Sequence, residues 1–189
     1  IDYEGQRNTF IGSKAGYASQ DAEGSTAIGY QALKDNVSAY GNTAVGSRAL
    51  ISTTGVYNTG VGTGVLLWND GGSSNTAIGY SASASTQTGS GNVAIGSFSN
   101  GQNTGGSNNV CIGANAGHST LPYSTRSGNV LIGYSAGYYN EEDNRLYIEN
   151  SNSSSPLIYG EFDNDIVAIH GDLGINNAAP TASLHVGGE

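Results

Sequence analysis

The sequence predicts an all-β fold: a parallel β-roll, or solenoid, of about eight 17-residue coils, followed by a small β-rich C-terminal region. Three observations carry that prediction. A five-residue motif ending in Ile-Gly or Val-Gly recurs eight times. Thirty glycines against three prolines mean that the chain bends by glycine. β-branched residues recur two positions apart within each motif, so they share one face of a strand.

The motif copies begin at Asn8, Ser25, Asn42, Asn58, Asn75, Asn92, Asn109 and Asn129. Their closing glycines lie 17, 17, 16, 17, 17, 17 and 20 residues apart. A near-constant period of this length marks a repeat architecture, in which each unit buries its apolar face against its neighbours. At about 4.8 Å per coil, eight coils stack to roughly 40 Å.

Each column has its own physical role. Asn or Ser opens the motif, where a side chain that bonds nearby backbone suits a corner. Thr or Val follows, and Ile or Val precedes the glycine, as in Thr76 and Ile78. Such residues favour a pleated strand and stack as ladders. Glycine closes the motif, consistent with a bend or a close backbone approach. Three residues later comes a small residue (Ala15, Ala32, Ala49, Val65, Ala82, Ser99, Ala116, Ala136), which predicts a second, tightly packed short strand.

Between the two β-branched positions stand Phe10, Ala27, Ala44, Gly60, Ala77, Ala94, Cys111 and Leu131, pointing to the opposite face. A half-exposed strand alternates apolar and polar. Here both faces avoid charge, so one fills the coil and the other needs a second protein surface. A coil this thin also buries too little on its own. The expectation is assembly around a shared axis, with Ala27, Ala44, Ala77, Ala94, Cys111 and Leu131 at that axis and the Ile and Thr columns on the buried face of the coil.

The motif, as in Asn75-Thr-Ala-Ile-Gly79-Tyr-Ser-Ala82, resembles the head repeat of YadA-type trimeric adhesins, whose pattern is close to Asn-Ser-Val-Ala-Ile-Gly-x-x-Ser. Similar repeats occur in tail fibres of phages and phage-like particles and in bacterial surface proteins. The resemblance covers residues 8–140 and implies a left-handed parallel β-roll, three copies of which pack into a homotrimer. The adhesin heads use a shorter repeat, so the additional residues here are expected to bulge as outer loops. The stretch Gly171-Asp-Leu-Gly-Ile175 to Val186 also resembles a segment of tail-fibre and surface proteins that often precedes a self-cleaving chaperone.

Residues 1–140 are therefore read as the repeat roll and 141–189 as a hairpin-rich fibre segment. In the second part, residues 144–149 read as a degenerate ninth strand, 151–155 as a polar linker, and 156–162 and 166–170 as strands around an Asp163-Asn-Asp165 turn. The start at Ile1 and the lack of methionine read as a fragment or a processed product.

Composition narrows the partners. Net charge is −9, with six acids and five Lys or Arg in residues 1–140 but nine acids against Arg145 alone thereafter. Nucleic acid, which needs a basic footprint, is not expected as a partner. Neither is membrane insertion, because no run approaches the roughly 20 apolar residues that span a bilayer. No signal peptide is read in these residues. The lone Cys111 makes no internal disulfide and reads as an inert packed thiol.

Catalysis, a metal site and a cofactor are not expected. The three histidines lie far apart in sequence, and no nucleophile elbow or His-Glu-x-x-His pair occurs. Glu141-Glu142-Asp143 reads as a solvated turn rather than the carboxylate pair of a glycan-cleaving spike. Asn69-Asp-Gly-Gly72 is a single imperfect echo of a calcium-binding repeat. The Thr ladder gives way to Val and is placed with the buried Ile column, against an ice-binding surface.

Function on a rigid solenoid concentrates where loops break the repeat. Two segments do so: Val65–Gly72, with the lone Trp68, and the expanded coil around His118, Tyr123 and Arg126. Exposed Trp, Tyr and Arg are common anchors of contacts. Trp68, Tyr123, Arg126 and His118 are the candidate receptor-binding residues, with Pro122 stiffening a loop projecting from residues 117–128. Tyr30, Tyr80 and Tyr134 follow the motif glycine as a structural row. The expected function is a non-enzymatic, extracellular attachment module of a trimeric tail fibre, contacting a cell-surface glycan or protein receptor. The alternatives are a bacterial surface adhesin and a polysaccharide-cleaving tail spike.

Overall fold

The computed structural model describes residues 7–121 and 123–186, and every regular element among them is a strand. The motif copies form β1 (Thr9–Ile11), β2 (Thr26–Ile28), β3 (Thr43–Val45), β4 (Thr59–Val61), β5 (Thr76–Ile78), β6 (Val93–Ile95), β7 (Val110–Ile112) and β8 (Val130–Ile132). Each pairs in parallel with its equivalent in the next coil: Thr26 stands opposite Thr43, Ala27 opposite Ala44 and Ile28 opposite Val45. Register holds through the expanded coil, where Val110 meets Val130.

The sheet continues past residue 141. β9 (Arg145–Ile148) adds a ninth parallel rung, with Leu146 opposite Val130. β10 (Ile158–Glu161) and β11 (Ile166–Ile169) then pair antiparallel, which makes eleven strands in chain order. β12 (Leu173–Ile175) and β13 (Leu184–Val186) form a separate parallel pair.

The two faces of the repeat strands are the reverse of the sequence expectation. Ala27, Ala44, Ala77, Ala94, Cys111 and Leu131, expected at an axis between chains, are at most 1% exposed inside their own coil. Ile28, Val61, Ile78, Ile95 and Ile112, expected inside, are 37–40% exposed on the outer face. The reason is the width of the interior. A Cβ on Gly60 would lie 3.0 Å from Val65 Cγ1 and 3.1 Å from Leu50 Cδ1, so the strand wall already touches the opposite wall.

The six-residue spacing between the walls carries a size rule. Small Ala27, Ala44 and Gly60 are followed six residues on by Leu33, Leu50 and Leu66, all buried. Large Phe10 and Leu131 are followed by Gly16 and Gly137, where a Cβ would lie 2.5 Å from the Phe10 ring and 2.6 Å from Leu131 Cδ2. In these five coils one large side chain per pair keeps the interior close-packed, while Ala77–Ser83 and Cys111–Gly117 carry none. β-branched side chains on the inner wall would overfill it.

From Ala32 onward the small residues three after the glycine are buried, yet they do not form a second strand. Ala32 lies between Gln31 (φ 58°) and Leu33 (φ 49°), so the backbone turns at each residue rather than extending. These turns still stack by hydrogen bonds: Leu33 N–H donates to Ala49 O (3.1 Å), and Arg48 N–H to Tyr30 O (2.8 Å). The motif glycine is fixed twice over. Gly79 has φ +133°, and a Cβ there would lie 2.7 Å from the Gly96 carbonyl of the next coil.

At the opposite end of β3 to β8, buried asparagines form a ladder. Asn75 Nδ2 donates to Gly89 O (2.9 Å), while its Oδ1 accepts the Asn92 backbone N–H (2.9 Å). Asn92 repeats both bonds toward Gly106 O and Asn109 N–H, each at 3.0 Å. The corner is thereby satisfied without water.

Candidate receptor-binding surface

The reversed faces leave a flat apolar ladder on the outside of the sheet. Ile28, Val61, Ile78, Ile95, Ile112 and Ile148 line it, with the half-buried Thr and Val column beside them. The Thr ladder is thus an outer feature, contrary to the sequence reading. The apolar surface continues past the roll through Leu157, Val167 and Ile169, all exposed.

The structure separates the four loop candidates. Trp68 is 58% exposed, projecting beside Ser52, Asp70 and Gln87 while Val65 and Leu66 are buried in the coil. Tyr123 is 74% exposed. The additional residues of the long coil leave between Ser119, whose N–H donates to Gly101 O (3.1 Å), and Ser124, whose N–H donates to Gln102 O (3.1 Å). Leu121 and Tyr123 project there, and Pro122 lies outside the described residues. His118 is half-buried, with its ring stacked on Tyr138 at 5.4 Å and 9° and set edgewise to Phe98 at 6.5 Å. Burial holds its pKa below the usual histidine value, which favours the neutral ring.

Arg126 is a correction. It is 4% exposed and offers no donor fork to a receptor. Its Nη2 donates to Gly117 O (2.6 Å) and its Nη1 to Asn140 O. Desolvation pushes the guanidinium pKa down, with Glu141 opposing. The sequence did contain the signal. Arg126 stands three residues before Asn129, where the other coils have Gly55, Gly72, Gly89 and Gly106. Like those glycines it lends its carbonyl to the ladder, accepting from Asn109 Nδ2 at 2.8 Å. Its side chain consequently starts inside the coil.

Sequence reasoning missed a groove where the roll meets the antiparallel strands. A cavity of about 470 Å³ is lined by Tyr139, Glu142, Tyr147, Tyr159 and His170 among others. A second, of about 520 Å³, includes Leu121 and Tyr123 and shares Glu141 and Glu142 with the first. The acidic turn between them is held in place. Ser119 Oγ donates to Glu141 (2.9 Å), Arg145 pairs with Glu142 (2.7 Å), and Ser127 N–H donates to Asp143 (2.7 Å). The clue was the tyrosine density between Tyr138 and Tyr159, which falls outside the repeat logic.

The buried Cys111 thiol is pushed up to about 12 by desolvation, which makes it a poor nucleophile near neutral pH. Among the described residues, no group of three or more His, Cys, Asp or Glu is placed to hold a metal ion. No helix among them is long and apolar enough to cross a membrane.

Compared with family models, with curated proteins and with solved structures, the chain matches none.

Proposed function

We propose that the chain is a non-enzymatic attachment module of a trimeric, extracellular fibre, of the kind carried by phage or phage-like tails. One observation supports it above the others: the Ile and Val ladder that runs along the outer sheet with more than a third of each side chain in water at Ile28, Ile78 and Ile95. Contiguous apolar surface of this extent on a soluble chain marks an interface. The ladder faces a common axis, the Ala column fills each coil, and exposed loop residues such as Trp68 and Tyr123 face outward to a receptor. The resemblance to YadA-type heads supports three copies. A bacterial surface adhesin shares every one of these features, and a membrane-anchor domain or a chaperone encoded downstream distinguishes the two.

The test separates coil from interface. Light scattering of the native chain is expected to give three times 19.2 kDa. The double substitution Ile78→Asp with Ile95→Asp is expected to yield a folded monomer, because a charge buried at an axis is unpaired. Ala77→Asp is expected to unfold the coil, since Ala77 is 1% exposed within one chain. A native chain that stays monomeric at micromolar concentration overturns the assembly.

A further inference from the structure

We infer that the groove where the roll meets the antiparallel strands, between Tyr139, Tyr147, Tyr159 and Glu142, binds an uncharged oligosaccharide. The inference rests on reading the chain as an attachment module, but not on its being a trimer. It goes beyond that reading by naming the site and the ligand chemistry.

The first support is the aromatic surface. Rings climb one edge of the solenoid in contact, from Tyr80 to Phe98 (5.2 Å), His118 (6.5 Å), Tyr138 (5.4 Å) and Tyr139 (5.2 Å). The row ends in the cavity, where Tyr139, 56% exposed, shares the lining with Tyr147 and Tyr159, which contact each other edgewise at 5.5 Å. Flat rings with a polar tip suit a ligand that is apolar on one face and rich in hydroxyls at its rim, as a sugar ring is.

The second support is the unused hydrogen-bonding capacity. Both bonds from Arg145 to Glu142 fall on Oε2, at 2.8 and 2.7 Å, which leaves Oε1 to accept from a ligand hydroxyl. His170 Nδ1 lies 2.6 Å from Pro156 O, a contact that requires the proton on Nδ1 and leaves Nε2 for a ligand hydroxyl. Tyr159 is already fixed, its hydroxyl donating to Glu161 (2.8 Å), so its ring is a preset wall. Fixed rings and acceptors lower the entropy lost when a ligand is ordered.

The third support is charge, which decides the class of sugar. Glu141 and Glu142 line both cavities, and Asp143 lines the second. The nearby cations are spent: Arg145 is paired with Glu142 and Asp163, and Arg126 is buried on carbonyls. Sialic acid, uronates and phosphorylated sugars would meet like charge with no compensating cation. The two cavities, about 470 and 520 Å³, adjoin across the shared carboxylates and fit several linked rings better than one.

The native chain is to be titrated calorimetrically with neutral hexose oligomers and N-acetylhexosamine oligomers, and with sialylated and uronate-bearing oligomers of the same length. Binding of a neutral oligomer is expected, weakened tenfold or more by Tyr139→Ala and by Glu142→Gln, with melting temperature and scattering mass unchanged. Acidic oligomers are expected to bind at least tenfold more weakly. Absence of binding by every neutral oligomer, a preference for acidic ones, or full binding by both variants overturns the site. A monomeric chain that still binds neutral oligomers refutes the trimer and supports this inference. A trimer that attaches to cells through a protein, with no sugar binding, does the reverse. Chain shortening of a bound oligomer supports the site and refutes the non-enzymatic reading.

Discussion

The glycine that closes each motif is the residue on which coil stacking turns. At Gly79 a side chain is opposed by two independent constraints: φ of +133°, a region that essentially only glycine occupies, and the Gly96 carbonyl within 2.7 Å of any Cβ. Relieving the clash means separating two coils, which breaks the hydrogen bonds on either side. Gly79→Ala is therefore expected to cost about 3 kcal/mol or more, from backbone strain of about 1–3 kcal/mol and the lost stacking contacts. The exposed Gly71, with nothing within 4 Å of a Cβ, is the control and is expected to tolerate alanine within about 0.5 kcal/mol. Urea melts of the two variants check this, and equal losses would remove the close-approach argument. Arg126 shows the other side of residue-scale reading. Its role was visible only as a position in the glycine column, because a charged residue in a loop is read as solvated until the column alignment places its backbone inside.

At the scale of the element, strand positions and register were legible because a period near 17 with a fixed five-residue motif admits one ladder. Which face closes was not legible. Alternation tells which residues share a face, but it is silent on which side the chain turns toward. The deciding quantity was volume: the Ala column and the residue six positions later together fill a narrow interior. The missing second strand has a similar cause. Small buried residues satisfy a tight turn as well as a strand, and the left-handed angles at Gln31 and Leu33 fall on residues whose identity does not announce them.

The size rule makes a quantitative expectation. Ala77→Leu puts a large group opposite the buried Ser83, at a level where both wall positions are small, and is expected to destabilise by about 1–3 kcal/mol through overpacking. Ser83→Gly, added to Ala77→Leu, recreates the Leu131 and Gly137 combination of the eighth coil. The pair is expected to show a favourable coupling of about 0.5–3 kcal/mol in a double-mutant cycle. The single Ser83→Gly variant accounts for relief of its φ of 48°. Strict additivity would mean that the walls do not touch at this level of the roll.

For the whole molecule, the groove was the least legible feature, because it is made by rungs that leave the repeat: the end of the roll, the acidic turn and the first antiparallel strand. The charge of the chain, by contrast, was fully written in the sequence, and it bears on assembly. Each copy carries −9, and the proposed axis is lined by Ile, Val and Thr rather than by opposite charges. Bringing three such copies together costs like-charge repulsion, which an ionic strength of about 0.15 M screens beyond roughly 8 Å. The apolar contact itself does not weaken in salt. Assembly is therefore expected to tighten as salt rises from about 0.01 M, where the repulsion is screened only beyond roughly 30 Å, to 0.15 M. Sedimentation at fixed protein concentration would show the trimer fraction growing across that range. An interface held by ion pairs would behave in the opposite way. Loss of the trimer with added salt would shift the contact from the outer Ile and Val ladder to the charged turns at the end of the roll, where Arg145, Glu142 and Asp163 already pair.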